Sequence, residues 1–256
     1  MTLTKDEISK SLAEIGLKKN DVVMIHGDAG PAAALQCVPN ADKALEFIES
    51  IIDYFDEGTV IVPSFTYSAT KDEIFYPSLT PSKVGLFSEK FRLMDGVIRS
   101  SHPIFSVGCF GHDAQFFADS LITDCFGSET LFDKLFLANG KILTIGCSLD
   151  RVTFVHYVEQ KLKVSYRYYK IFSGAIQFED KLDVVRVRYF VRDLNLATDL
   201  DLRKFEDKAV SQNKLMKSSL GRFPIRTISA RDFFYVASNL LKTDPFALIR
   251  EGATNE

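Results

Sequence analysis

Three short apolar runs constrain the fold of this chain more than anything else in it. They are "DVVMIH" (21–26), "GTVIVPSFTYS" (58–68) and "GKILTIGCS" (140–148). Each is strand-sized and apolar at successive positions, the pattern of a strand buried on both faces rather than one. Amphipathic helical segments separate them. "TKDEISKSLAEIGL" begins with Thr4 as a capping residue and Glu7 three positions later, with Gly16 to stop it. "NADKALEFIESIIDYF", "VGLFSEKFRLM", "DAQFFADSLI" and "TLFDKLFLAN" also repeat apolar residues at helical spacing. Doubly buried strands that alternate with helices need cover on both sides. The expected fold class is therefore α/β, a layered central sheet with helices on both faces.

The texture changes near Ser165. "KIFSGAIQFEDKLDVVRVRYFVRD" alternates like two antiparallel strands, with Asp180-Lys181 as the turn, and "SARDFFYVASNLLK" returns to a helix. This predicts a smaller α+β C-terminal portion. With 256 residues, 46% of them hydrophobic, the chain can bury one large core. The expected organisation is a single domain over 1–256, with 165–256 as a candidate subdomain. Residues 69–84, which include Pro77 and Pro81, read as a long irregular loop and a candidate lid.

A net charge of -3 without any run of five basic residues argues against a nucleic-acid partner. The first residues lack a signal-peptide pattern, and no apolar run has membrane-spanning length. Cys37, Cys109, Cys125 and Cys147 lie far apart with no CxxC pair, which suits reduced thiols and a cytoplasmic location.

Chemistry concentrates in a few places. "GVIRSSHPIFSVGCFG" (96–111) sets Arg99, Ser100, Ser101, His102 and Pro103 side by side, a donor cluster suited to phosphate or simply a basic turn. His26 ends the first apolar run, and His156 lies early in the helix after the third. Both are therefore near strand carboxyl ends, where open α/β sheets gather ligands. In "TFVHYVEQ", Thr153, His156 and Glu159 are three apart, so Glu159 can accept from one imidazole nitrogen and leave the other as a base. A solvated His/Glu pair would have the same spacing. There is no HExxH and no close pair of ligands, so no metal site is expected. Cys109 and Cys147 read as packing, and His112 beside Asp113 as structural.

Taken in order, "VVMIH", "GTVIVPSFTYS", "TPSKVG", "GVIRSSHPIFSVGCFG", "LFDKL", "GKILTIGCSLDRVTFVHYVEQ" and "YRY" resemble the aminoglycoside 3-N-acetyltransferase family; "LGRFPIRTISARDFF" and "DPFAL" fit more loosely. The resemblance implies an enzyme that moves an acetyl or other short acyl group from acyl-coenzyme A to the amine of an amino sugar. It implies His156 as general base with Glu159 as its partner. Arg99, Ser100, Ser101 and His102 would form the loop against the coenzyme, and Ser64 and Thr66 the strand end beside the thioester. His26 and Tyr67 would contact the acceptor. After His26 the family's serine-rich stretch is replaced by Gly27, Asp28, Ala29 and Gly30. Asp28 is accordingly either an acceptor contact or a loop cap.

The flavour of "HPIFSV" and "FVHYVEQ" is similar to members found with surface-polysaccharide biosynthesis, so the expected acceptor is a nucleotide-linked amino sugar. The alternative is aminoglycoside resistance. Alternatives of another class are a metal-dependent hydrolase and a non-catalytic binding protein. The expected partners are acetyl-CoA and a small-molecule acceptor, and a homodimer is left open.

Overall fold

The computed structural model describes residues 2–196 and 198–250. Its strands are β1 (Val22–Gly27), β2 (Thr59–Pro63), β3 (Ile74–Phe75), β4 (Ile98–Arg99), β5 (Val107–Gly111), β6 (Lys141–Ile145), β7 (Arg167–Phe178), β8 (Lys181–Arg192), β9 (Met216–Leu220) and β10 (Phe223–Ser229). Its helices are α1 (Lys5–Glu14), α2 (Lys43–Ile52), α3 (Leu86–Arg92), α4 (Ala114–Ala118), α5 (Leu131–Leu137), α6 (Phe154–Leu162), α7 (Arg203–Ser211) and α8 (Ala230–Thr243).

The three apolar runs become β2, β1 and β6, adjacent and parallel at the centre of a seven-stranded sheet of order β4-β5-β2-β1-β6-β10-β9. Antiparallel strands extend it on both sides, β5 against β2 and β10 against β6. Side chains along the central strands alternate between two cores, as the pleat requires. Val23, Ile25, Val60, Val62, Leu143 and Ile145 face one core, under α1, α2 and α3. Met24, Ile61 and Ile142 face the other, with the apolar sides of α4 to α8. Thr4 caps α1 as anticipated: its hydroxyl accepts from the Glu7 amide at 3.2 Å, and the Glu7 carboxylate accepts from the Thr4 amide at 2.8 Å.

A second sheet of order β3-β7-β8 stands beside the first. It bears on three expectations. The hairpin turn is Glu179-Asp180, one residue earlier than the alternation suggested, because Phe178 pairs with Lys181. The 69–84 loop is anchored, since Ile74 and Phe75 form a strand parallel to β7 and Phe75 is fully buried. The stretch 165–256 divides between the sheets: β7 and β8 build the second, while β9 and β10 complete the first. After β6 a separate 3-10 turn over Leu149–Arg151 precedes α6, which starts at Phe154.

Candidate active site

A cavity of about 820 Å³ opens where β1, β2 and β6 end, at their carboxyl ends. Backbone geometry shapes its wall. A Cβ on Gly27 would come within 2.8 Å of the Phe87 ring, so only glycine lets the chain leave β1 against α3. Gly146 has φ +70° and turns the chain sharply out of β6. Tyr67 also adopts the left-handed conformation, φ +59°, rare for a bulky residue, and lines the cavity beyond β2.

His26, Asp28, Tyr67 and His156 line the cavity together, so the structure gathers two imidazoles and the residues expected to meet the acceptor around one space. His156 lies in the first turns of α6. Its Nδ1 is 2.6 Å from Oε2 of Glu159, one turn on. Glu159 is fully buried, and its other oxygen accepts from the Tyr166 hydroxyl at 2.9 Å. Nε of Arg167, from the start of β7, lies 2.7 Å from Oε2. Burial would raise the Glu159 carboxyl, but its partners His156, Arg167 and Tyr166 outweigh it and hold it below the usual range. Burial pushes the His156 imidazole down; the Arg167 charge adds to this, and Glu159 only partly opposes it. An ionised Glu159 accepts, so the proton of neutral His156 sits on Nδ1 and the Nε2 lone pair is free. An imidazole held this way can act as a general base.

His26 is buried and has its imidazole pushed down to about 4 by burial alone. Asp28 caps its own loop, Oδ1 accepting from the Gly30 amide at 2.7 Å. Cys147 also lines the cavity, but burial pushes its thiol up to about 11 and its Sγ–H donates to the His26 carbonyl, which makes it a packing group.

The residues expected against the coenzyme are not among those lining this cavity. Arg99 points into the fold: Nη1 donates to the carbonyls of Pro77 and Thr80 at 3.0 and 2.5 Å, and Nη2 to the carbonyl of Ser64 at 2.7 Å. Its guanidinium also stacks on Phe75. These contacts correct the expectation that Arg99 meets phosphate. Ser100 is buried and its hydroxyl accepts from the Val107 amide. His102 is buried too; Nδ1 accepts from the amides of Ile104 and Phe105, and Nε2 faces the Asp124 carbonyl. It is the turn's cap, with its imidazole pushed down to about 4 chiefly by burial. Ser64 and Thr66 are wholly buried, and the Thr66 hydroxyl donates to the Pro103 carbonyl. Ser101 is half-buried outside the cavity wall. His102 therefore stands apart from His26 and His156, and the three imidazoles do not converge.

Sequence reasoning assigned no role to Tyr166 or Arg167, although "YRY" carried part of the resemblance. The available signal was an arginine between two tyrosines, just ahead of the alternating stretch. It also missed Lys83 and Arg151, cations on the cavity wall that no ion pair holds among the described residues. No helix among these residues is long and apolar enough to cross a membrane.

A mixed sheet covered by helices on both faces, with a carboxylate-held imidazole on a cavity at the carboxyl rim of its parallel strands, is the setting of an α/β enzyme. The model of the aminoglycoside 3-N-acetyltransferase family matches residues 32–242, and the chain belongs to that family. It is an acyl-CoA-dependent N-acyltransferase. The chain is 27% identical over 252 residues to aminoglycoside N(3)-acetyltransferase IV of a Salmonella species, a match covering 96% of this chain and 90% of the relative. Among solved structures it resembles AAC-IIIb in binary complex with CoASH, with TM-score 0.81 and 20% identity, covering 95% of this chain and 97% of that one. It also resembles AAC-VIa bound to sisomicin, with TM-score 0.77 and 21% identity, covering 95% and 98%.

Proposed function

We propose that this enzyme transfers an acetyl group from acetyl-CoA to an amine of an aminoglycoside-type acceptor, with His156 as general base. The observation that carries the reading is the His156–Glu159 pair, whose free Nε2 belongs to a residue on the cavity wall. Acetyl-CoA supplies the acetyl group as a thioester. His156 removes a proton from the acceptor amine, whose nitrogen then attacks the thioester carbonyl, and coenzyme A leaves as thiolate. Glu159 holds the imidazole in the required tautomer. Lys83 and Arg151 are placed to hold the coenzyme's phosphates, the task Arg99 cannot perform. Asp28, on the cavity wall, would take a second ammonium of the acceptor. The amides of Ser64, Thr66 and Tyr67 donate to Ser106 and Ile104 carbonyls, which removes them from the donors available to a developing oxyanion. Four cysteines without a disulfide suit work in the cytoplasm.

The relatives favour an aminoglycoside over the nucleotide-linked sugar expected from the sequence. One observation keeps the latter as a second reading: the cavity wall carries Lys83 and Arg151 against Asp28 and Asp150, a balanced set that would also admit an anionic carrier. Thiol release with acetyl-CoA, measured for sisomicin and for a uridine-diphosphate-linked amino sugar, separates the two. His156→Ala should fold and lose about 10²–10⁴-fold in kcat, the usual worth of a placed general base. Undiminished turnover in that variant refutes the assignment.

A further inference from the structure

Glu159 has two strong partners that do not belong to its helix. Tyr166 reaches Oε1, and Arg167 reaches Oε2, from the segment that opens β7. Arg167 is itself buried, and its Nη1 donates to the Phe190 carbonyl of β8 at 3.1 Å, so the hairpin fixes where the guanidinium points. The carboxylate is thus shared between an imidazole that faces the cavity and a cation that does not.

This matters for the state of the imidazole. A buried carboxylate whose sole partner is a histidine draws a proton onto that histidine, because an ion pair is favoured over a lone charge in a poorly polarisable interior. An imidazolium has no lone pair and cannot act as a base. A guanidinium against the same carboxylate balances its charge without that proton. We propose that Arg167 is a positioning residue of the transfer reaction: its buried charge, held beside Glu159 from the hairpin side, opposes a proton on His156 and so leaves Nε2 able to take the proton of the acceptor amine. The proposal rests on the reading of His156 as the base.

The other groups around the imidazole do not replace this contribution. Arg192, at the end of β8, also repels a proton on His156, but it is half-exposed and paired with Asp199. Phe126 packs edge-on against the ring, with centroids 5.6 Å apart. Tyr189 of β8 lies near Glu159 and Arg167 and is itself neutral, its hydroxyl pushed up by burial. His26, Asp28, Tyr67, Lys83, Asp150 and Arg151 line the cavity that His156 faces.

Removing Arg167 alone leaves Glu159 buried without its cation, which could prevent folding. The decisive comparison therefore uses Glu159→Gln, with and without Arg167→Met; the double variant buries neither charge. The readout is the His156 imidazole titration by NMR on histidine-labelled protein, the signal being assigned with His156→Ala. Adding Arg167→Met should raise the His156 midpoint by about one pH unit or more, the effect of a close charge. Equal midpoints in the two proteins overturn the proposal. In the otherwise unaltered enzyme, Arg167→Gln should move the acid limb of kcat/KM to higher pH while KM for acetyl-CoA stays the same, and Arg167→Lys should restore it. An unmoved limb in folded Arg167→Gln overturns the proposal equally. A midpoint that moves as expected in an enzyme whose turnover survives His156→Ala refutes the general-base reading and leaves the electrostatic arrangement standing.

Discussion

Arg99→Ala separates a binding role from a scaffolding role for the arginine of the "RSSHP" stretch. In the structure its guanidinium joins three segments: Pro77 and Thr80 in the loop over β3, Ser64 at the end of β2, and its own strand β4. Burial and the nearby Arg92 charge bring its pKa down to about 10, so it remains a cation at neutral pH, and each bond is charge-assisted. Such bonds contribute about 1.5–3 kcal/mol each. The Pro77 and Thr80 carbonyls lie near the surface and water can reach them once the side chain is gone, while the Ser64 carbonyl keeps the Ser106 hydroxyl as a donor at 2.7 Å. The net loss should be about 2–4 kcal/mol, less than three full bonds. Urea unfolding followed by circular dichroism measures it, and calorimetric titration with coenzyme A at a temperature where the variant stays folded completes the test. The expected result is a clearly lower unfolding midpoint with coenzyme affinity within about twofold. A variant as stable as the parent that has lost its coenzyme affinity would falsify this reasoning and return Arg99 to the phosphates.

Two further outcomes are expected. His26 and His102 have folded pKa values of about 4 against an ordinary 6.5, so the unfolded chain takes up protons first as pH falls. Stability is therefore full above pH 6.5 and falls between 6.5 and 4, by up to about 3 kcal/mol per histidine. His102→Asn, whose side-chain oxygen can still accept from the Ile104 and Phe105 amides, should flatten the urea midpoint against pH; an unchanged slope contradicts this account. Asp28→Asn retains an acceptor for the Gly30 amide but loses the charge. It should raise the acceptor KM roughly fivefold, for about 1 kcal/mol from a partly exposed ion pair, and leave KM for acetyl-CoA alone. No change in acceptor KM would reduce Asp28 to a loop cap.

The parallel centre of the sheet was legible because β1, β2 and β6 bury both faces and so read as unbroken apolar runs. β9 was not, since "MKSSL" is an edge strand with only Leu220 buried, and edge strands have no core face to announce them. The His156–Glu159 pair was legible because helical spacing alone brings the two together. The donor cluster misled for a physical reason. A run of Arg, Ser, Ser and His advertises hydrogen-bond capacity, but the sequence does not say whether ligand or backbone will fill it. Here Arg99 satisfies backbone carbonyls of three segments, and Ser100 and His102 satisfy amides of the buried turn between β4 and β5. Arg167 escaped for the converse reason: its partner lies across a tertiary contact, and no local period encodes it.

The hairpin's hold on Glu159 ties competence to completeness. A chain emerging from the ribosome can form α6, with His156 and Glu159 already in place, before β7 and β8 exist to deliver Arg167 and the Phe190 carbonyl that orients it. Until then the carboxylate has no cation beside it, so the setting of the base is completed only when the hairpin docks. On the proposed role of Arg167, full transfer activity would then report that the hairpin has docked.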